Sequence, residues 1–115
     1  MPALSSADRP FEPCSIAAAL AAKAAGVPLE EVLHGQRGCR DSAAARALAM
    51  YLAHVGLGVP MSRVALGFNR HRSTVAYACR RIEERREVAG WDRWVDALEE
   101  DARCAAKQGE PRHDA

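Results

Sequence analysis

The sequence predicts an all-α fold, a compact six-helix domain that contains a helix-turn-helix. Apolar residues make up 49% of the chain and aromatic residues only 5%, with alanine the most frequent apolar type. Alanine favours helices, whereas strands are enriched in β-branched and aromatic residues. Apolar residues also recur at helical spacing between breaks at glycine and proline. With 115 residues, the chain is long enough for one domain with a single modest core.

The N-terminal part is expected to be an arm followed by one helix. Residues 1–13 contain three prolines and little periodicity, which predicts a flexible arm. A first helix is expected from about Ser15, ended by Gly26 and the Val-Pro that follows. Its buried stripe is predicted to comprise Ile16, Leu20 and Ala24.

A short helix, a loop and a longer central helix are expected next. Pro28 opens the short helix PLEEVL, whose glutamates lie in the first turn, where the helix dipole favours carboxylates. HGQRGCR, residues 34–40, has two glycines and two arginines and predicts a basic loop. Asp41 or Ser42 can cap a third helix, which runs to about His54. Its apolar positions are Leu48, Tyr51, Leu52 and Val55.

A helix-turn-helix follows the turn GLGVP. Ser62 is a plausible N-cap for a short fourth helix, with Val64, Ala65 and Phe68 pointing inward. Residues 69–71 form a tight connection, and a fifth helix runs from Arg72 or Ser73 to about Glu87. Val75, Cys79 and Ile82 form its buried stripe, with Ala76, Tyr77, Arg80 and Arg81 on or near the other face. A short helix, a tight turn and a longer helix are typical of this motif.

After a break at Gly90, an amphipathic sixth helix is expected over residues 91–108, followed by a disordered tail, 109–115. One side of the helix carries Trp91, Trp94, Val95, Leu98 and Ala102, and the other side is acidic. The acidic side suits the domain itself or a protein partner better than a polyanion. The two tryptophans are interpreted as core residues, with a partner surface as the alternative.

Charge is segregated along the chain, although the net charge is only +1. Residues 37–86 hold ten arginines against three carboxylates, which gives +7, and the flanking segments 1–36 and 87–115 carry −2 and −4. A central basic block of this kind is what a polyanionic partner needs. The alternative is a solvated basic face.

Several classes of protein are not indicated. No apolar run approaches the roughly 20 residues that cross a bilayer, and no charged segment with an apolar stretch opens the chain as a signal peptide would, so a cytoplasmic, nucleoid-associated protein is expected. The four cysteines are scattered and form no zinc pair, so four reduced thiols are expected. No nucleophile and base arrangement and no phosphate-binding glycine loop can be identified, so neither catalysis nor a cofactor is expected.

The segment ARALAMYLAHVGLGVPMSRVALGFNRHRSTVAYACRRIE resembles the C-terminal, domain IV-like DNA-binding domain of the bacterial replication initiator DnaA. The matching features are Arg46 with AMYL at 49–52, a helix that ends at Phe68, NRHRSTV at 69–75 and ACRRI at 78–82. With the helices upstream, the resemblance covers about residues 15–90, so a DNA-binding domain is expected over 14–90. It implies a Trp-repressor-like helix-turn-helix architecture and binding to double-stranded DNA.

The resemblance also implies which residues contact DNA. The fifth helix is expected to enter the major groove, with Arg72, Ser73 and Thr74 at base edges, and Arg40 is expected to reach the adjacent minor groove. Arg46, Arg80 and Arg81 are candidates for phosphate contacts. The remaining candidates are Arg37, Arg70, His71 and Tyr77. Contacts from Arg63, Arg85 and Arg86 are as compatible with the sequence as simple exposed charges.

The signature departs from the initiator's at the turn. Asn69 stands in place of a Gly-Gly pair, the turn is one residue shorter, and Asp-His is replaced by His71-Arg72. The base preference is therefore expected to differ from that of the initiator. No nucleotide-binding loop G-x-x-x-x-G-K-[ST] is found, so nucleotide-driven origin melting is not expected of the chain itself.

A transcription regulator, and in particular an activator, is the favoured interpretation, with a similarity to the DnaA-like activators of gene transfer agent and other phage-derived genes. RNA polymerase or a sigma-like factor is the expected partner of the sixth helix, and the protein is expected to be a monomer or a homodimer. The alternative is a protein-interaction module that modulates replication by contacting the initiator or its loader.

Overall fold

The computed structural model describes residues 12–34 and 40–109, and within these ranges the chain forms helices and no strands. The helices are α1 Glu12–Ala25, α2 Leu29–His34, α3 Arg40–Tyr51, α4 Met61–Phe68, α5 Arg72–Arg85 and α6 Ala89–Gly109. A π-helical turn, Leu52–Gly56, continues α3. The predicted all-α fold with six helices is confirmed. The expected arm and tail lie outside the described residues, apart from residues 12–13 in α1 and 109 in α6.

Helix α3 lies at the centre of the fold, as its apolar pattern predicts. Helices α1 and α5 both pack on it, α4 packs on α5, and α6 packs mainly on α1 and on the π-helical turn. The largest fully buried apolar side chains are Tyr51, Phe68, Leu52, Val32, Val64, Val75 and Val95. They come from α2 to α6 and form a single core. Helix α5 thus packs on α3 and α4, whereas α6 packs mainly on α1 and on the π-helical turn.

The buried face of α1 is not the predicted one. Cys14 and four alanines, Ala17, Ala18, Ala21 and Ala22, are buried in the core. Ile16 and Leu20 are only half-buried, and Ala24 is exposed. Because alanine side chains are small, a face composed of them lets the α1 backbone approach its neighbours closely. Close packing therefore determines which face of α1 is buried, even though Ile16 and Leu20 are more hydrophobic than the alanines.

The π-helical turn changes the phase of the chain at the end of α3. The Leu57 amide donates to the Leu52 carbonyl at 2.9 Å, which is the i to i+5 spacing of a π-helix. Leu52 stays buried, whereas Val55, the last apolar position of the sequence pattern, is 43% exposed. The wider turn rotates Val55 away from the core. His54 Nδ1 lies 2.8 Å from the Val59 carbonyl and donates a hydrogen bond to it. This bond stabilises the turn between the π-helical segment and α4.

Helix α6 begins before the predicted break. It starts at Ala89, so Gly90 lies in its first turn, and the chain turns at residues 86–88 instead. Val95 and Leu98 are buried as expected. Trp91 is half-buried against the core, whereas Trp94 is 40% exposed and is not a core residue. The prediction that both tryptophans belong to the core is therefore wrong for Trp94.

Arg86 joins α6 to the rest of the domain. Its Nε donates to Asp92 Oδ1 at 2.6 Å, one Nη donates to Asp96, and the other donates to Glu99 Oε2 at 3.1 Å. The Tyr51 hydroxyl accepts a further hydrogen bond at 3.0 Å. Burial opposes the Arg86 charge, but these hydrogen bonds outweigh it and raise its pKa. Three carboxylates of the acidic side of α6 therefore surround one arginine of the same chain.

Arg86→Ala should lower the free energy of unfolding by about 3 kcal/mol, because it leaves the Glu99 carboxylate and the Tyr51 hydroxyl without their donor in a largely buried site. Urea denaturation followed by circular dichroism measures this loss. Arg93→Ala removes the same charge from an exposed position of α6 and should change stability by less than about 0.5 kcal/mol. Equal losses in the two variants would contradict the role of Arg86.

Candidate nucleic-acid interface

The turn between α4 and α5 is closed by a single asparagine. Asn69 adopts a left-handed conformation, with φ 54° and ψ 50°, which asparagine tolerates better than most residues. The Arg70 amide donates to the Ala65 carbonyl at 2.9 Å and the Asn69 amide to the Leu66 carbonyl at 3.2 Å. With Asn69 in this conformation, two carbonyl groups at the end of α4 have hydrogen-bond donors. The turn therefore does not need a glycine at the left-handed position.

Histidine caps the start of α5. His71 Nδ1 accepts a hydrogen bond from the Ser73 amide at 3.2 Å and lies 2.9 Å from the Ser73 hydroxyl. An aspartate, the residue of the initiator signature at this position, can cap a helix in the same way. His71 thus keeps the capping function without the negative charge. Helix α4 has no such cap, because it starts at Met61 after Pro60, and the predicted N-cap role of Ser62 is wrong.

The two faces of α5 are divided as predicted. Val75, Cys79 and Ile82 are buried, and so is Ala78, which packs beside them. Tyr77, by contrast, is 57% exposed. The other exposed candidates are Arg72, Ser73, Thr74, Arg80 and Arg81. The first turn of α5, with its exposed hydroxyl and guanidinium groups, therefore projects from the domain as the front of a recognition helix does.

An open groove runs between α3 and α5. Its walls carry Arg40 at the start of α3 and Thr74 in the first turn of α5, so residues far apart in the sequence meet on one side of the molecule. The full lining is Arg40, Ala43, Ala44, Arg46, Ala47, Met50, Arg70, Thr74, Tyr77, Ala78, Arg81, Ile82 and Arg85. Six predicted site residues, Arg40, Arg46, Arg70, Thr74, Tyr77 and Arg81, are brought together there.

The other predicted site residues lie outside this lining. His71, Arg72 and Ser73 are exposed at the front of α5, beside Thr74, and Arg80 is exposed further along the same helix. Arg37 falls on residues 35–39, outside the described part of the chain. The candidates thus form one surface made of the groove and the front of α5.

Arg46 has a structural environment that its sequence position did not reveal. It is only 8% exposed, and its guanidinium donates to the Glu31 carbonyl at 2.8 Å and to the Val32 carbonyl at 3.1 Å. Burial lowers its pKa, with a further contribution from the nearby Arg70. Ser42 adds a hydrogen bond of 3.2 Å to the Glu31 carboxylate. These contacts join α2 to α3 and so hold the helix that begins with Arg40, which gives Arg46 a structural role; its expected contact with phosphate stays a prediction.

Aromatic contacts orient the two arginines at the far end of the groove. Arg81 donates to the Tyr77 hydroxyl at 3.1 Å and lies over the Tyr77 ring. The Arg85 guanidinium lies 4.3 Å from the centre of the Trp91 ring, a cation–π distance. Arg85 was left undecided by the sequence, yet it belongs to the groove. Its spacing of four residues from Arg81 and eleven from Thr74 is the signal that could have placed it there.

Comparison with known families identifies the chain. A family model described as the bacterial DnaA protein helix-turn-helix matches residues 16–82. The chain belongs to this DnaA helix-turn-helix family. Searches of curated proteins and of solved structures gave no significant match. The family domain is a DNA-binding module, and the match runs from within α1 through most of α5. The front of α5 and the groove lining, apart from Arg85, therefore lie within a DnaA-type DNA-binding domain.

Two of the cysteines in the described part of the chain, Cys14 and Cys79, are buried thiols. Burial raises the pKa of Cys14 and of Cys79 to about 11, so both remain protonated thiols at neutral pH and are poor nucleophiles. Among residues 12–34 and 40–109, no three His, Cys, Asp or Glu side chains are grouped to hold a metal ion. None of the helices described is both long and apolar enough to traverse a bilayer.

His71→Ala should destabilise the domain by about 1 kcal/mol, because the Ser73 amide at the front of α5 loses its acceptor. His71→Asp, which restores a capping oxygen, should retain the stability of the parent protein. Thermal unfolding of the three proteins at one pH measures the difference. If His71→Asp were as unstable as His71→Ala, the stabilising role of the histidine would not be capping.

Proposed function

We propose that this chain binds double-stranded DNA in a sequence-specific manner and regulates transcription, most simply as an activator. The observation that carries the proposal is that Arg40 and Thr74 line opposite walls of one groove. A DnaA-type module that reads two adjacent grooves of a duplex requires such an arrangement. The sugar-phosphate strand that separates the minor from the major groove would then lie between α3 and α5.

The proposed contacts follow from position. Arg72, Ser73 and Thr74 read base edges in the major groove from the front of α5, where guanidinium and hydroxyl groups can discriminate bases. Arg40 enters the minor groove. Contacts to phosphate, which fix orientation without reading sequence, come from Arg70, His71, Tyr77, Arg80, Arg81 and, outside the described residues, Arg37. Arg46 lines the same groove and completes this set, although most of its side chain is buried and bonded to α2.

A regulatory role is supported by the surface that α6 leaves exposed. This helix packs mainly on α1 and the π-helical turn, whereas α5 packs on α3 and α4. Trp94 is 40% exposed and its ring lies 5.9 Å from that of Trp91. Exposed tryptophans are typical anchors of protein interfaces. A DNA-bound chain would therefore still offer this patch to RNA polymerase or to a sigma-like factor at the chromosome.

The DNA contacts can be tested without knowledge of the target. Selection from a pool of random duplexes by the parent protein yields a binding site, and affinities are then measured by fluorescence anisotropy. Arg40→Ala should weaken binding by about 1 to 3 kcal/mol, and Ser73→Ala and Thr74→Ala should each lower discrimination at one base pair by a similar amount. Arg93→Ala, which removes an arginine from α6, is the matched control and should bind like the parent.

Salt dependence separates this function from the alternative, a module that binds the initiator or its loader. A protein that neutralises about six phosphates should lose roughly a thousandfold in affinity between 50 and 200 mM salt. Binding that hardly responds to salt, or Arg40 and Thr74 variants that bind like the Arg93→Ala control, would contradict the proposed DNA interface.

Trp94→Ala should separate DNA binding from activation. Because Trp94 is an exposed residue of α6 that neither lines the groove nor belongs to the proposed DNA contacts, its removal should leave affinity for the selected duplex within about twofold. In transcription with purified polymerase from a promoter that carries the selected site, the same variant should lose most of the stimulation. Full stimulation by Trp94→Ala would argue against a polymerase contact at this patch.

A further inference from the structure

The groove between α3 and α5 has a composition that DNA contact alone does not explain. Duplex backbones are bound through charge and hydrogen bonds, and the arginines at the groove edge meet that need. The floor, however, is apolar. It consists of Ala43, Ala44, Ala47, Met50, Ala78 and Ile82. These side chains continue along the groove to its far end, beyond the first turn of α5.

The dimensions of the groove match those of a helix. On α3 the lining residues run from Arg40 to Met50, and on α5 from Thr74 to Arg85, at helical spacings of three and four. At 1.5 Å per residue these stretches measure about 15 Å and about 17 Å, which corresponds to roughly three helical turns. Alanines on the α3 wall allow another backbone to approach closely, as packed helices do at interaxial distances of about 8 to 10 Å.

The charges around the groove specify an acidic occupant. Arg40 and Arg70 lie toward one end, and Arg81 and Arg85 lie along the last turns of α5. Hydrogen bonding to Tyr77 orients Arg81, and stacking on Trp91 orients Arg85. No carboxylate is part of the described lining. An arginine pair held in this way is suited to carboxylates, with which guanidinium groups form charge-assisted hydrogen bonds.

We propose that this groove binds an acidic amphipathic helix of a partner protein. The apolar face of that helix packs on Ala43, Ala44 and Ala47, which are exposed or half-buried on the α3 wall, and carboxylates on its flanks pair with Arg81 and Arg85. Charge complementarity and the helix-length apolar floor are the observations that support this occupant. The inference goes beyond the proposed function, because it assigns a protein-binding site to the surface that DNA would otherwise use.

Competition with DNA follows if the proposed function holds. Arg40 and Thr74 belong both to the groove lining and to the proposed DNA contacts, so the helix and the duplex cannot occupy the surface together. The partner would then act as an inhibitor that releases the chain from DNA. Binding of the helix itself does not depend on this step.

The test uses a designed probe. It is a fluorescein-labelled 14-residue peptide with leucines at positions 1, 4, 8 and 11 and glutamates at the flanking positions, which places one apolar stripe on one face of a helix. A scrambled peptide of the same composition has no such stripe. The labelled peptide should bind saturably to the full chain in an anisotropy titration, and the scrambled peptide should bind at least about tenfold more weakly.

Variants of the chain locate the binding site. Ala44→Glu places a carboxylate in the groove at an exposed position, where folding should be preserved, and should weaken peptide binding by about tenfold or more through repulsion and displacement. Ala19→Glu makes the same change at an exposed position of α1 and should leave binding within about twofold. Arg85→Gln should weaken peptide binding by several-fold, and Arg93→Gln should not. Circular dichroism melting curves verify that each variant is folded.

Equal binding of the scrambled peptide would mean that charge alone is recognised, and unchanged binding by Ala44→Glu would place the peptide elsewhere. Either result overturns the proposal. Failure of the proposed DNA binding can be distinguished from failure of the helix site, because Ser73 belongs to the proposed DNA contacts but lies outside the groove lining. Ser73→Ala should affect only the selected duplex. Peptide binding without any duplex binding would overturn DNA recognition and retain the helix site, and displacement of the peptide by the duplex would support both.

Discussion

The packing of α5 on α3 is the constraint on which the candidate interface depends. Val75, Ala78 and Ile82 are buried, and their burial fixes the rotation of α5 about its own axis. With side chains set 100° apart around a helix, that rotation turns Tyr77 and Arg81 outward and directs Thr74 toward the groove. The same packing brings Arg40 to the facing wall. A change of one residue in the register of this contact would rotate Thr74, Tyr77 and Arg81 together by about 100°, away from the wall that carries Arg40.

A second set of contacts keeps negative charge away from that interface. The acidic helix α6 carries several carboxylates, but Asp92, Asp96 and Glu99 all bond to Arg86, at the opposite end of α5 from Thr74. The acidic side of α6 therefore serves mainly to hold α6 on the domain through Arg86. Because these carboxylates are paired, they contribute less negative potential at the candidate interface than the sequence suggests. Arg86 thus differs in function from Arg85, its neighbour in the chain, which stacks on Trp91 and lines the groove.

Most of the fold could be predicted because local signals were strong. Alanine-rich segments, a glycine at the end of α1 and the apolar spacing of α4 and α5 indicate helices without reference to tertiary contacts. Predictions failed where packing competed with hydrophobicity. Ile16 and Leu20 look like core residues, but close approach of α1 to its neighbours favours the alanine face. Val55 is displaced by a π-helical turn, for which no simple periodicity rule exists.

The sequence indicated which segments form the candidate site, but not which contacts each arginine makes. The signature residues at 69–75 pointed to the front of α5, and Arg40 was placed by its position before the central helix. The position of an arginine in the sequence does not show whether its side chain is exposed, paired with carboxylates or buried. Arg46, Arg85 and Arg86 are chemically identical in the sequence, yet one holds α2, one stacks on an aromatic ring and one binds α6.

The sequence by itself determined the helical class, the order of the helices, the helix-turn-helix and the family, because these depend on local spacing and on residues near one another in the chain. Only the tertiary structure decided which faces are buried, which arginines remain at the surface and that α3 and α5 form one groove. These properties arise from contacts between residues 30 or more positions apart, such as the hydrogen bond from Arg86 to Tyr51. Their geometry is set by the packing of the whole core.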